Sequence, residues 1–515
     1  MLSDTSETKL SADRGQQNDW VIFWGSVAVL LVLVVPLLLD PEGGEVMLGQ
    51  AFDYLTHEMG VFYILAGVCT LVFLLYLAFS RHGNIVFARD AHEAPAFSMF
   101  SWSGMLFCGG IGASVVYWGT IEWAHYYASP PFGIEPKSEE ALIWAISYPI
   151  FHWGLIGWAF YCLPGIAMGY LYYCKGAQAL RLSVACRRLI PVSLRPILNP
   201  VLDVIFVVGL VGACSTGVGL AVPLIGALMV EILGLPADSL GFGLDLIIIV
   251  FVTMLFSASA WLGLEYGIKR LSNFNVALAF FLIVAVFLLG PTLFISEMSL
   301  MTVGHLIENF VQMSFWTDPL EGADFVESWT VFYWAWWLAL GPFMGVFIAK
   351  ISRGRTIKQI VLGCLGYGTL GCALFFLVFG NFAAHLEING IYSVTDAIAN
   401  SSGQLAVVGV LSHLPMAGIF LFLFMVVCIV FAATSYDSAS YAIATTIATN
   451  LPKDQDPGRV MRVFWAWFLG LLPIALLNIG GLRPLQSAVT LASVPLLIVF
   501  VLLGLSLWLS LKERT

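Results

Sequence analysis

Three stretches of the sequence gather side chains that could do chemistry in an otherwise apolar chain. The first is Cys108-Gly109-Gly110-Ile111-Gly112-Ala113-Ser114, followed by Tyr117-Trp118-Gly119-Thr120-Ile121-Glu122. Closely spaced glycines permit a helix to unwind, and unwinding frees backbone N–H groups to point at an anionic group. Close packing of helices through small residues accounts for the same glycines equally well. The second stretch is aromatic: Trp153, Trp158 and Tyr161, then Tyr333-Trp334-Ala335-Trp336-Trp337. On a continuous helix the first three fall at about 0°, 140° and 80°, sharing one broad face. Several indole faces around a small space attract a quaternary ammonium, which has no N–H to donate and so cannot be held by ordinary hydrogen bonds. Simple core packing is the competing explanation. The third is Phe431-Ala432-Ala433-Thr434-Ser435-Tyr436-Asp437-Ser438. Its adjacent hydroxyls beside exposed carbonyls could form an all-oxygen sodium site, although Ser and Thr in membrane helices commonly bond the carbonyl one turn back.

Such residues need membrane helices to position them. The chain has 515 residues, of which 60% are hydrophobic and 10% charged, against about 25% charged in soluble domains. Each helical crossing takes roughly 20 apolar residues. Apolar runs at 20–40, 61–80, 97–127, 141–172, 199–232, 244–263, 271–295, 326–350, 357–380, 413–447, 460–480 and 485–511 predict twelve spans in an all-α polytopic fold. That leaves no room for a large soluble catalytic or nucleic-acid-binding domain. With loops assigned alternately to two sides, 20 Lys and Arg fall on the side of the termini and only Lys137 and Arg483 on the other. Both termini are therefore expected in the cytoplasm, and an invented or missed crossing would destroy the asymmetry. Residues from Glu297 to Phe315 set Leu300, Val303, Leu306, Ile307, Phe310 and Val311 opposite His305, Glu308 and Asn309, the pattern of a helix lying along the outer interface. The first 19 residues read as a polar tail without a removable signal peptide. The nine cysteines have no metal-type spacing, so neither zinc nor disulfides are expected. No nucleophile, metal cluster or paired acid and base stands at depth with catalytic spacing, and His152 and His413 are isolated along the chain, so the reading is not an enzyme.

From about Trp20 to Leu511 the chain resembles the betaine/carnitine/choline transporter family. The resemblance rests on Trp329-Thr330-Val331-Phe332-Tyr333-Trp334-Ala335-Trp336-Trp337, on Ile348-Ala349-Lys350-Ile351-Ser352-Arg353-Gly354-Arg355-Thr356, and on Phe151-His152-Trp153-Gly154. It implies a LeuT-type architecture of two five-helix repeats of inverted topology. Residues 97–295 and 326–511 would form these repeats, with two accessory helices in 20–96 and a periplasmic amphipathic helix and loop in 296–325 between them. Cytoplasmic tails would occupy 1–19 and 512–515. The resemblance also implies a homotrimer in a bacterial inner membrane, with substrate held at the midplane and access alternating between the two sides.

Carried over residue by residue, Trp153, Trp158, Tyr161 and Trp337 match the family's aromatic box, and Trp336 a neighbour on the cytoplasmic exit route. Leu340 stands where glycine-betaine carriers have a further tryptophan, which opens the box. Choline carriers place an aspartate in the glycine stretch, whereas this one ends in Ser114. The expected ligand is thus a zwitterion such as glycine betaine or carnitine, its carboxylate on backbone N–H groups around Gly110 and Gly112 and its trimethylammonium among the rings. Choline remains an alternative through Glu122 and Asp437. For coupling, Cys108, Ile111 and Phe431 match positions supplying carbonyls to sodium, with the hydroxyls of Thr434 and Ser435, and Asn275 stands where the sodium-independent exchangers carry an arginine. Thr216 and Phe343 mark a second, weaker sodium position. Sodium symport is the expectation on local chemistry, while several longer stretches look closer to the carnitine/butyrobetaine exchangers. With only Lys512-Glu513-Arg514-Thr515 after Leu511, nutritional uptake fits better than osmotic activation through a tail.

Overall fold

Backbone polar groups in a bilayer core have no water to bond, so long apolar segments satisfy themselves as helices. The computed structural model, which describes residues 17–88, 93–109, 112–262, 269–319, 324–449 and 456–513, follows that rule. Among the described residues, eleven helical segments are long and apolar enough to cross a membrane, and the pair Met99–Gly109 and Ser114–Ala128, bent by 58°, makes a twelfth if counted as one broken span. One antiparallel pairing of Gln17–Asn18 with Ala448–Thr449 ties the start of the chain to a later helix end.

The helices are α1 (Trp20–Leu39), α2 (Pro41–Phe79), α3 (Met99–Gly109), α4 (Ala113–Ala128), α5 (Glu139–His152), α6 (Leu155–Cys174), α7 (Arg195–Leu233), α8 (Phe242–Leu262), α9 (Lys269–Leu289) and α10 (Thr292–Phe315). A π-helical turn, Val326–Val331, leads into α11 (Phe332–Ile351). Then come α12 (Ile357–Ile388), α13 (Val394–Asn400), α14 (Gly403–Ser412), α15 (Ala417–Ile447), α16 (Arg459–Ile479) and α17 (Arg483–Lys512).

Most expected spans recur within about four residues, while the one expected at 357–380 runs on to Ile388 and the one at 271–295 ends at Leu289; two further differences are informative. Helix α2 starts twenty residues before the predicted 61, because Asp40 caps it, accepting from the Gly43 amide at 3.0 Å, and Pro41 occupies the first turn. At 39 residues it is about 58 Å long and must project well beyond the hydrocarbon layer. Helix α10 likewise begins at Thr292, before the predicted Glu297. Its Leu300, Val303, Ile307 and Val311 are exposed, whereas His305 turns inward to bond Ser147 at 3.0 Å and meets the Trp144 ring edge-on at 4.4 Å. Leu306 and Phe310 of the same expected stripe are half-buried against the core, and burial holds the His305 imidazole below its ordinary pKa.

The most extensive packing joins α6 to α11. Glycines allow it: a Cβ on Gly345 would lie 2.8 Å from the Gly165 nitrogen. The two cations that the charge count isolates, Lys137 and Arg483, each pair with a carboxylate, Asp396 at 3.2 Å and Asp53 respectively.

Candidate functional site

Trp153 and Gly154 interrupt the fourth apolar span. Helix α5 ends at His152, Trp153 is its C-cap, Gly154 precedes α6, and a Cβ on Gly154 would stand 2.4 Å from the Ile150 carbonyl oxygen. The continuous helical wheel assumed for Trp153, Trp158 and Tyr161 is therefore wrong at its first member. The three rings still converge, because the break turns Trp153 towards α11.

There the five aromatic residues that the resemblance matches to the box and its exit route meet. Trp337 packs 4.4 Å from Tyr161, 6.0 Å from Trp158 and 5.9 Å from Trp153, and Trp336 lies edge-on to Trp153 at 5.6 Å. Trp153, Trp158, Tyr161, Trp336 and Trp337 are all buried. Two further rings join the group: Phe376 on α12, which the sequence does not mark, and Tyr333 on α11, which belongs to the aromatic run but to none of the positions matched to the box, each 5.7 Å from Trp153. Nothing in the local pattern around Phe376 separates it from ordinary core phenylalanine. Trp334, in contrast, turns to the other side of α11, against Phe151 and Phe160. Leu340 is partly buried one turn beyond Trp336.

Three of the four indole N–H groups of this cluster, those of Trp153, Trp336 and Trp337, are committed to protein oxygens. Trp153 donates to Glu122 Oε2 at 2.9 Å, Trp336 to the Ala213 carbonyl at 3.2 Å and Trp337 to the His152 carbonyl at 3.0 Å. Each ring is thereby fixed, leaving its π face as its means of attraction. His152, isolated along the chain, is not isolated in space: its Nδ1 is 2.9 Å from the Tyr126 hydroxyl and its Nε2 3.1 Å from the Thr330 hydroxyl. Asp437, the carboxylate of the third stretch, is buried on α15 and takes no part in this network.

The glycine break borders the aromatic group. A Cβ on Gly109, the last residue of α3, would stand 3.7 Å from Trp158. Gly110 and Ile111 lie outside the described residues. Gly112 is in extended conformation at the N-terminus of α4 without a side-chain cap, and among the described residues nothing lies within 4 Å of where its Cβ would be. The first amides of α4 have no intrahelical partner, and such amides favour negative charge. Ser114 is buried, its Oγ 3.3 Å from where a Cβ on Gly217 of α7 would stand.

Of the sodium set, Thr434 donates back to the Val430 carbonyl at 2.9 Å and approaches that of Phe431 at 3.3 Å, while Ser435 is exposed. Cys108 is half-buried in the last turn of α3, whose carbonyls lack intrahelical donors. Thr216 donates to the Gly212 and Leu485 carbonyls, and Asn275 is buried with its amide donating to the Val427 carbonyl at 3.3 Å.

Known proteins are similar to this chain in sequence. The chain is 34% identical over 497 residues, 96% of its length and 94% of the relative's, to the glycine betaine transporter OpuD of Bacillus subtilis. It is 31% identical over 449 residues, 87% of its length and 80% of the relative's, to a carnitine transporter of Acinetobacter baumannii. A third relative, an ectoine/hydroxyectoine transporter of Virgibacillus pantothenticus, is 32% identical over 498 residues, covering 95% of this chain and 96% of that one. The family model described as BCCT, betaine/carnitine/choline family transporter, extends over residues 21–515. With a match running from the first span to the last residue, this chain belongs to the betaine/carnitine/choline family of transporters.

Proposed function

We propose that the protein carries a zwitterionic trimethylammonium compound, such as glycine betaine or carnitine, by sodium-coupled symport with alternating access. The observation that carries the reading is the commitment of three indole N–H groups, from Trp153, Trp336 and Trp337, to protein acceptors. Rings whose donors are spent offer their faces, and ring faces favour a cation that lacks N–H groups of its own. The carboxylate end would meet the free amides at the start of α4, around Gly110, Gly112 and Ser114, where the helix terminus favours negative charge. The names of relatives that transport glycine betaine and carnitine agree with this chemistry.

In this reading residues 97–295 and 326–511 are the two repeats that move against each other, the molecule assembles as a homotrimer, and both termini face the cytoplasm of a bacterial cell. Sodium is a second cargo, held by the carbonyls of Cys108, Ile111 and Phe431 and the hydroxyls of Thr434 and Ser435. The back-bonded Thr434 hydroxyl keeps lone pairs for a cation while its hydrogen is engaged. Counterflow exchange without sodium is the competing coupling.

Uptake of labelled glycine betaine and carnitine into liposomes, with and without an inward sodium gradient, tests the reading. Accumulation that follows the gradient supports symport, uptake only into liposomes preloaded with substrate selects exchange, and no uptake of either compound removes both. Changing Thr434 and Ser435 together to alanine is expected to raise the sodium concentration for half-maximal uptake at least about tenfold, since losing two of five oxygen ligands weakens a hard-cation site; an unchanged sodium dependence would move the ion elsewhere. Ser114→Asp puts a carboxylate beside the glycine break, in the first turn of α4 where a negative charge is tolerated. Its expected outcome is a competition profile shifted from glycine betaine towards choline, and an unaltered profile removes Ser114 from the carboxylate end of the pocket.

A further inference from the structure

Behind the aromatic cage, away from its ring faces, sits a fully buried carboxylate. Glu122 of α4 accepts hydrogen bonds from the Tyr126 hydroxyl at Oε1 (2.7 Å), and from the Tyr333 hydroxyl (2.6 Å) and the Trp153 indole (2.9 Å) at Oε2. No lysine or arginine pairs with it among the described residues, and the nearest cationic candidate is His152, whose Nδ1 is 3.7 Å from Oε1. A buried acid is costly unless its surroundings are built for it. These surroundings come from separate elements: Tyr126 one turn along α4, His152 and Trp153 at the end of α5, and Tyr333 on α11. An indole N–H can only donate, so Oε2 is an acceptor whatever the protonation state, and three donor hydrogens converging on two oxygens match a carboxylate better than a carboxylic acid.

We propose that Glu122 is a positioning residue that holds a negative charge against the rim of Trp153 and so biases the cage towards a cationic head group. The inference rests on the trimethylammonium reading above and deepens it. An indole whose N–H is drawn to a carboxylate presents a more negative face to what it stacks on. The same network orients the cage on its other wall, because the residue whose carbonyl holds the Trp337 indole is His152, itself bonded through Tyr126 to Glu122. One buried acid thereby fixes the angle of two cage rings and sets the charge behind one of them.

The isosteric Glu122→Gln variant separates charge from shape. Its carboxamide oxygen accepts from Trp153 and Tyr333 as before. Its NH2 donates to Tyr126, whose hydroxyl then donates to His152 Nδ1, so every hydrogen bond has a counterpart and only the charge is lost. The probes are glycine betaine and its neutral-headed isostere 3,3-dimethylbutanoate, in which a tert-butyl group replaces trimethylammonium, measured on the purified full-length chain by titration and competition. The expected result is an affinity for glycine betaine weakened at least about tenfold with less than about a twofold change for the isostere, since the charge is a few ångströms from the cage in a medium of low effective dielectric. Wild-type affinity for glycine betaine, or equal loss for both probes, overturns the proposal. Tyr126→Phe combined with Tyr333→Phe strips two of the three donors from the carboxylate, and a fully buried acid left short of donors takes up a proton and loses its charge, so the same selective loss is expected; unchanged selectivity there overturns the proposal as well, should the glutamine variant fail to fold. Trp337→Ala, run alongside, reports on the cage itself: if it binds glycine betaine as wild type does, the trimethylammonium reading fails, whatever Glu122 does.

Discussion

Replacing Trp337 by alanine is expected to weaken binding of glycine betaine or carnitine about thirtyfold, because a desolvated cation–π contact is worth about 2 kcal/mol. Among the five cage residues Trp337 contacts the most of the others: it meets Tyr161, Trp158 and Trp153 and spends its N–H on the His152 carbonyl. Truncation would therefore remove one ring face and release the rings it braces. Trp337→Phe separates these effects. It keeps a ring in place but not the bond to His152, so its loss should be a few-fold. Titration calorimetry on the purified protein measures both variants, and an alanine variant within threefold of wild type would take Trp337 out of the binding site.

Much of this architecture could be read from the chain because bilayer physics is written residue by residue. Apolar runs and the distribution of Lys and Arg define spans without any tertiary contact, which is why Trp20–Leu39 and Ala417–Ile447 match their expected limits closely. The aromatic group was legible for a related reason: Tyr333-Trp334-Ala335-Trp336-Trp337 puts bulky amphipathic rings where lipid-facing helices have no use for them. What escaped was geometry created between helices. Phe151-His152-Trp153-Gly154 reads as uninterrupted helix, yet the chain breaks there because Gly154 alone allows the Ile150 carbonyl its close approach. The Glu122 network escaped as well. The Glu122 and Tyr126 pair at i and i+4 was visible on one helix, but His152, Trp153 and Tyr333 arrive from elements that the sequence cannot bring into register. An intramembrane acid followed one turn later by tyrosine is the signal that would have pointed to a buried network.

Gly157→Ala is expected to reduce affinity at least about tenfold although it adds one methyl group and touches no substrate, since overpacking costs about 1–3 kcal/mol. A Cβ there would stand 2.4 Å from Cε2 of Trp337 and 2.8 Å from Cδ2 and Cζ2, well inside van der Waals contact. The obstacle is the body of a rigid indole rather than the free end of a flexible chain. Its N–H is bonded to His152 and its far side is closed by Tyr161, so the ring cannot swing away without losing one of those contacts. The methyl group must tilt Trp337 into the cage or force α6 and α11 apart along their main packing surface. Gly504→Ala on α17, where no described atom lies within 4 Å of the added Cβ, is the matched control and should bind like wild type. Combining Gly157→Ala with Trp337→Phe makes room for the methyl group, so the double variant should bind better than the sum of the two separate losses allows, a coupling that neighbours sharing one cavity display. Additive losses would mean that the glycine and the indole do not meet, and that the cage is walled differently from the arrangement described.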